Sequence, residues 1–143
     1  MHVVCEQLSL HTHAPIELID LSEQVRQVFA RHPVRQGWLT VTSAHTTAFV
    51  ALNEREPKLQ QDMLDFLTRL APPGQTSYRH DIDPIDGRPN THAHLIGLFM
   101  NASETILIED GRLLLGDWQS IFFIELDGPR PQRQIRVQIA GLI

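Results

Sequence analysis

From residue 105 to residue 139 the chain is a succession of strand-forming segments joined by breaks too short to hold a helix. Residues 105–109, 112–115, 119–126 and 133–139 are rich in β-forming side chains. Asp110-Gly111 separates the first two segments, and Asp127-Gly128-Pro129 closes the third. Short turns of this kind join antiparallel neighbours, whereas a parallel pair needs a crossover of a dozen or more residues. This half of the chain is therefore expected to be an antiparallel sheet.

The other half alternates between strand and helix patterns. Residues 2–10 read as a strand, and 13–19 as a second one interrupted at Pro15. Asp20 followed three residues later by Glu23 resembles a helix start, and Leu21, Val25, Val28 and Phe29 keep helical spacing, which predicts an amphipathic helix over 21–31. His32-Pro33 ends it. Residues 37–43 and 46–52 read as strands. Pro57 stands where a first helical residue would, and Leu59, Met63, Phe66, Leu67 and Leu70 form one apolar stripe. That helix ends before Ala71-Pro72-Pro73-Gly74. The apolar stretch 95–100 reads as a third, short helix. Two or three helices among about eight strands predict an α+β fold, mostly antiparallel, in one domain over 1–143.

Composition removes several functional classes. A formal charge of -5, with a single lysine (Lys58), argues against binding nucleic acid through phosphate contacts. The one cysteine, Cys5, permits no disulfide within the chain and points to a reducing compartment. No apolar stretch is long enough to span a bilayer, and the N-terminus lacks the pattern of a signal peptide, so a cytoplasmic protein is expected. No glycine-rich nucleotide loop, no paired-cysteine motif and no nucleophile elbow occurs.

What remains is a polar stretch, 75–91, too long for an idle connection in a compact domain. It leads into Asn90-Thr91-His92-Ala93-His94 and contains Tyr78-Arg79-His80-Asp81, Asp83 and Asp86. His45 stands apart from it in Ser43-Ala44-His45-Thr46-Thr47. At a helix entry the rings of His92 and His94 diverge, and His94 is expected to be the one facing a pocket. Neutral imidazoles bind zinc well, and three of them with a water form a known catalytic arrangement, so His45, His80 and His94 are candidate ligands of one ion. The residues leave three readings open: a structural loop, a phosphate-binding loop, or a metal site.

The spaced pattern Ser103-x-x-Ile106-x-Ile108-x-x-Gly111-x-x-x-x-Gly116-x-Trp118-Gln119-x-Ile121 resembles the signature of the YjbQ family, also described as secondary thiamine-phosphate synthase-like proteins. His45-Thr46-Thr47, Asn53-Glu54, Tyr78-x-His80, Asn90-x-x-x-His94 and Asp127-Gly128-Pro129 agree with it in order, over nearly the whole chain. Asp117 stands where the family usually has threonine, and Thr91 where it has alanine. Asp117 adds a carboxylate, which opposes a phosphate by like charge.

The resemblance implies compact α+β subunits assembled as homotrimers. It also implies a weak activity that couples hydroxymethylpyrimidine diphosphate to thiazole phosphate and releases pyrophosphate. His45, Glu54, His80 and His94 are implied as catalytic groups, with His45, His80 and His94 doubling as ligands of a divalent metal, zinc or magnesium. Thr46, Asn53, Arg79, Asn90, Trp118 and Gln119 are implied as substrate contacts, and a pyrimidine ring is expected to stack on Trp118. Two other functions fit the same groups: a metal-dependent hydrolase of a small phosphorylated or acylated metabolite, and a non-catalytic module that binds a metal or small molecule. The partners expected are a small phosphorylated metabolite and the chain itself, with no nucleic acid and no membrane.

Overall fold

Asp110 and Gly111 take positive φ values of 48° and 75°, the backbone of a tight hairpin turn. They join β5 (Ser103–Glu109) to β6 (Arg112–Leu113) in a computed structural model that describes all 143 residues. The remaining elements follow in order: β1 (His2–Leu10), β2 (Glu17–Asp20), α1 (Ser22–Arg31), β3 (Gln36–Ser43), β4 (Ala48–Asn53), α2 (Pro57–Leu70), a single 3-10 turn at Arg79–Asp81, α3 (Thr91–Gly97), β7 (Ser120–Glu125) and β8 (Arg133–Leu142). The strands form two sheets, β1-β8-β3-β5-β6 and β2-β7-β4, and every pairing is antiparallel.

The layers follow from side-chain alternation along β7. Ile121 and Phe123 point between the two sheets and join Leu39, Val41, Ile106, Ile108, Ile135, Val137 and Ile139 of the larger sheet, closed at one side by Leu21, just before α1, and Val25 and Val28 of α1. Phe122 and Ile124 point the other way and meet Leu67 of α2 and Ala93 and Ile96 of α3. β7 is buried on both faces, so it reads as an unbroken apolar run although its sheet is antiparallel. Each buried Val, Leu, Ile or Phe contributes roughly 1.5–3 kcal/mol relative to exposure. The 15 residues of the inter-sheet cluster thus outweigh the cost of ordering a few polar groups at its rim.

The differences from the sequence reading trace to particular hydrogen bonds. β2 starts only at Glu17, because the Glu17 carboxylate accepts from the N–H groups of His13 and Ala14 and folds that stretch into a bend. Asp20 accepts from the Ser22 N–H at 2.8 Å, as a helix-start residue does, but Glu23 bonds forward to Gln27 and completes no capping box. At α2 the cap is Glu56, whose two oxygens accept from the Lys58 and Leu59 N–H groups. Of the apolar stripe on α2 only Leu67 is fully buried, while Phe66 and Leu70 remain about half exposed. α3 begins four residues earlier than its apolar run, at Thr91. The reason is distant in sequence: Asp81 accepts from both the N–H and the hydroxyl of Thr91, at 3.1 and 2.6 Å, and holds the first turn. No helix is long and apolar enough to cross a membrane.

Candidate functional site

At its C-terminal end β7 stops being apolar. Glu125 occupies the next inward position after Ile121 and Phe123, and Arg133 the matching position one step before Ile135 on β8, so the last rung of the inter-sheet core is an ion pair. Glu125 is 0% exposed and Arg133 3%. The guanidinium grips both carboxylate oxygens, through Nε at 2.7 Å and through Nη2. Nη2 also donates to the Thr47 hydroxyl, the Thr12 hydroxyl donates to Glu125, and the Asp127 N–H completes the set. Burial alone would raise the Glu125 carboxyl, but the hydrogen bonds from Arg133, the Asp127 N–H and Thr12, with the Arg133 charge, hold it below the ordinary range. Nη1 of Arg133 makes no bond within the chain, and Arg133 lines a pocket.

His45 belongs to the same half of the site. The ladder between β3 and β8 ends at Ser43 opposite Ile135. Just beyond it, Nε2 of His45 accepts from the Gln134 N–H at 2.8 Å and stands in for the next strand bond. Ser43 supports the loop by donating to the Ala48 carbonyl and accepting from the His45 N–H. Because Nε2 is an acceptor, the neutral ring carries its proton on Nδ1. Desolvation, followed by the Arg133 charge, lowers the pKa of His45 and keeps the ring neutral.

The second half of the site hangs on Asp127. Arg88 donates to both of its carboxylate oxygens, and Arg130 and Asn90 donate to Oδ2 at 2.7 Å each. Burial alone would raise this carboxyl; the hydrogen bonds from Arg88, Asn90 and Arg130 hold it down at about 2. Asn90, buried at the entry to α3, turns its Oδ1 to His80 Nε2 at 2.9 Å. The His80 and His94 rings meet edge to face with centroids 5.2 Å apart. His92 turns away and donates from Nε2 to the Leu126 carbonyl. The expected divergence of His92 and His94 is what the helix produces. The three residues 125–127 thus anchor both halves.

Between the halves lies a pocket of about 680 Å³, bordered by His45, Thr46, Thr47, Arg79, His80, Asn90, His94, Arg130 and Arg133, with Asp83 and Asp86 and the exposed Ile82 and Ile85 on its loop side. That volume suits a small metabolite. Three arginines and two aspartates line it, and Arg130 and Arg133 are held in place by Asp127 and Glu125 behind the wall, so the pocket offers oriented cationic donors in a chain of net charge -5.

Of the residues singled out in the sequence, His45, Thr46, Arg79, His80, Asn90 and His94 border this pocket, and Asn53, Glu54, Trp118 and Gln119 do not. Asn53 pairs with Ser120 at the far end of β4 and β7, opposite to the end that carries Thr47 and Glu125. Trp118 is 76% exposed there, and Gln119 accepts from the Gly116 N–H at 2.8 Å. Glu54 donates its N–H to the Asn53 side chain.

The three-histidine ion site is not gathered within the chain. No group of three or more His, Cys, Asp or Glu side chains is arranged to hold one ion, and His45 has Nε2 engaged and a proton on Nδ1. His80 and His94 are the imidazoles that lie side by side.

Glu125, Arg133, Asp127, Arg88 and Arg130 were not singled out from sequence as site residues. A signal existed for the first two: a lone glutamate closing an apolar strand, and an arginine in phase with the inward residues of β8. Arg88 and Arg130 gave none, since their partner lies 39 residues away in one case and in a turn in the other.

Comparison with known proteins places the geometry in a lineage. A family model described as UPF0047 protein YjbQ-like matches residues 6–142. A UPF0047 protein of Methanothermobacter thermautotrophicus is 40% identical over 141 residues, covering 99% of this chain and 94% of its own. The UPF0047 protein YugU of Bacillus subtilis is 34% identical over 86% of this chain and 89% of its own. Among solved structures, a YbjQ-like protein of unknown function from Sulfolobus solfataricus superposes with a TM-score of 0.90 at 35% identity, over 98% of both chains.

Proposed function

The chain belongs to the YjbQ-like family, and from that premise we propose that its pocket binds a small phosphorylated metabolite and that the protein is a cytoplasmic transferase of the thiamine-phosphate-synthase type. The observation that carries the reading is the buried Glu125–Arg133 pair, which points a preorganised guanidinium at the pocket. Arg130, tethered to Asp127, and the exposed Arg79 add two more cationic donors. Such donors favour a phosphate or diphosphate over a neutral ligand, since charge-assisted bonds are roughly twice as strong as neutral ones.

In the coupling reaction, the bond between the pyrimidine methylene carbon and the diphosphate oxygen breaks, pyrophosphate leaves with the bonding pair, and the thiazole nitrogen forms the new carbon–nitrogen bond. The charge that gathers on the leaving group is met by Arg130 and Arg133, already oriented before the reaction, which is how fixed donors lower a barrier. A zinc or magnesium ion would be held by the adjacent imidazoles of His80 and His94, with His45 kept out by its engaged Nε2, and would supply positive charge to the leaving diphosphate.

Self-assembly, as a homotrimer, is part of the same proposal. Its support is the set of large apolar side chains left exposed, Trp118, Leu107, Leu98 and Phe99 among them, and the position of Trp118, Gln119, Asn53 and Glu54 away from the pocket of their own chain.

The test is calorimetric titration with pyrophosphate. Arg79→Ala and Arg130→Ala are each expected to weaken binding about 10-fold, the loss of one charge-assisted bond. Affinity unchanged in both variants would remove the phosphate reading. Binding that is intact in a protein that releases no pyrophosphate from the two thiamine precursors would remove the coupling reaction and leave a binding module.

A further inference from the structure

We propose that Asp127 and Asn90 are positioning residues for His80, locking its ring in the Nε2–H tautomer and leaving Nδ1 as a free lone-pair nitrogen beside the pocket. The proposal rests on the reading of this pocket as a ligand site. It starts from what a carboxylate can do. Asp127 only accepts, and three side chains, Arg88, Arg130 and Asn90, donate to it. The Asn90 amide must therefore turn its NH₂ to Asp127, and its carbonyl oxygen is left facing His80. A carbonyl oxygen also only accepts, so His80 Nε2 must carry the proton. The reverse amide orientation would set acceptor against acceptor at Asp127 and is excluded. Arg88, forked onto Asp127, fixes the carboxylate that fixes the amide.

The same bookkeeping applied to His45 gives the opposite tautomer, because Nε2 accepts from the Gln134 N–H. Nδ1 of His45 has no bond within the chain and is not among the enclosed, unpartnered atoms. The pocket therefore offers a neutral N–H donor from His45 and an acceptor nitrogen from His80. This defines its ligand more closely than charge does. The ligand is an oxyanion that also carries an O–H or N–H group, set so that the anion meets His45 and the arginines while the proton-bearing group meets His80 Nδ1.

The experiment is long-range proton–nitrogen correlation spectroscopy on the whole protein labelled with ¹⁵N-histidine, at about pH 8, where imidazoles are neutral. His80 is expected to show a protonated Nε2 and a bare Nδ1, and His45 the reverse. In Asn90→Ala the His80 bias is expected to fall roughly 5-fold, the worth of one hydrogen bond. A wild-type His80 found as the Nδ1–H form, or as an even mixture, would overturn the proposal whether or not the variant folds. So would an unchanged ratio in a folded Asn90→Ala. A locked tautomer in a protein that fails to bind pyrophosphate would uphold the positioning pair and remove only the phosphate reading.

Discussion

Glu125→Gln tests the foundation of the site. The substitution keeps the shape of the side chain and removes its charge, leaving the Arg133 guanidinium, 3% exposed, without an anion. Breaking a buried pair from one side costs about 3–5 kcal/mol, because the remaining charge has already lost its water. Unfolding entropy in a chain of 143 residues makes 1 kcal/mol worth about 3 °C, so a drop of roughly 10–15 °C in Tm is expected. The assay is urea unfolding at neutral pH, where the depressed pKa of Glu125 leaves it ionised. It should be run on Glu125→Gln, on Arg133→Met and on the double variant. The two side chains share two hydrogen bonds, so the double variant is expected to lose less than the sum of the singles by about 2 kcal/mol or more. Additive losses within about 0.5 kcal/mol would refute the claim that they act as a unit. So would a Glu125→Gln variant within about 1 kcal/mol of the wild type, since no buried charge would then have been stranded.

Asp127 gives a pH-dependent counterpart. Its folded pKa of about 2 lies below the ordinary 3.8, so its contribution is present above pH 3.8 and is lost as pH falls through about 2. The shift is worth about 2 kcal/mol, and Asp127→Asn should flatten the urea midpoint across that acidic window by this amount. Gly128→Ala addresses the same hub through sterics. A Cβ there would stand 2.1 Å from the Ala14 carbonyl oxygen and 2.9 Å from Cγ of Glu125, and the first of these is backbone that cannot swing aside. A loss of at least 1–3 kcal/mol (approximately) in the same unfolding assay is expected, and a neutral outcome would show that the segment 125–127 is not held rigidly.

Most of the fold was legible where its cause was local, although the bend that delays β2, held by Glu17, is local too. The Asp110-Gly111 turn, the apolar run of β7 and the proline at the start of α2 each act within a few residues, and each element lies where its pattern put it. The first turn of α3 escaped because the carboxylate that holds Thr91, that of Asp81, comes from 10 residues upstream. The site divides along the same line. His45, His80 and His94 announce themselves by residue type, and all three reach one pocket. What they do there depends on partners from other elements: a backbone N–H of β8 sets the tautomer of His45, and an amide anchored to a distant carboxylate sets that of His80. Composition reveals an imidazole, but not which of its nitrogens is already spoken for.

The same geometry decides what the remaining motif residues can do. β4 carries Thr47 just before its first residue and Asn53 as its last, and the antiparallel β7 runs the other way, with Glu125 opposite Ala48 and Ser120 opposite Asn53. A strand of this length spans roughly 17–20 Å. A ligand small enough for a pocket of about 680 Å³ cannot touch Arg133 at one end and Asn53, Glu54 or Trp118 of the same chain at the other. If these residues serve the reaction, they serve it in the pocket of a neighbouring copy. Trp118, left 76% exposed on its own chain and flanked by the carboxylate of Asp117, has the aromatic bulk and the charge to meet a cationic rim. Asp117 itself lies away from the pocket that carries Arg133, in a surface depression shared with Arg26 and Arg112 of its own chain. A carboxylate placed there sets no like charge against an anion bound in the pocket.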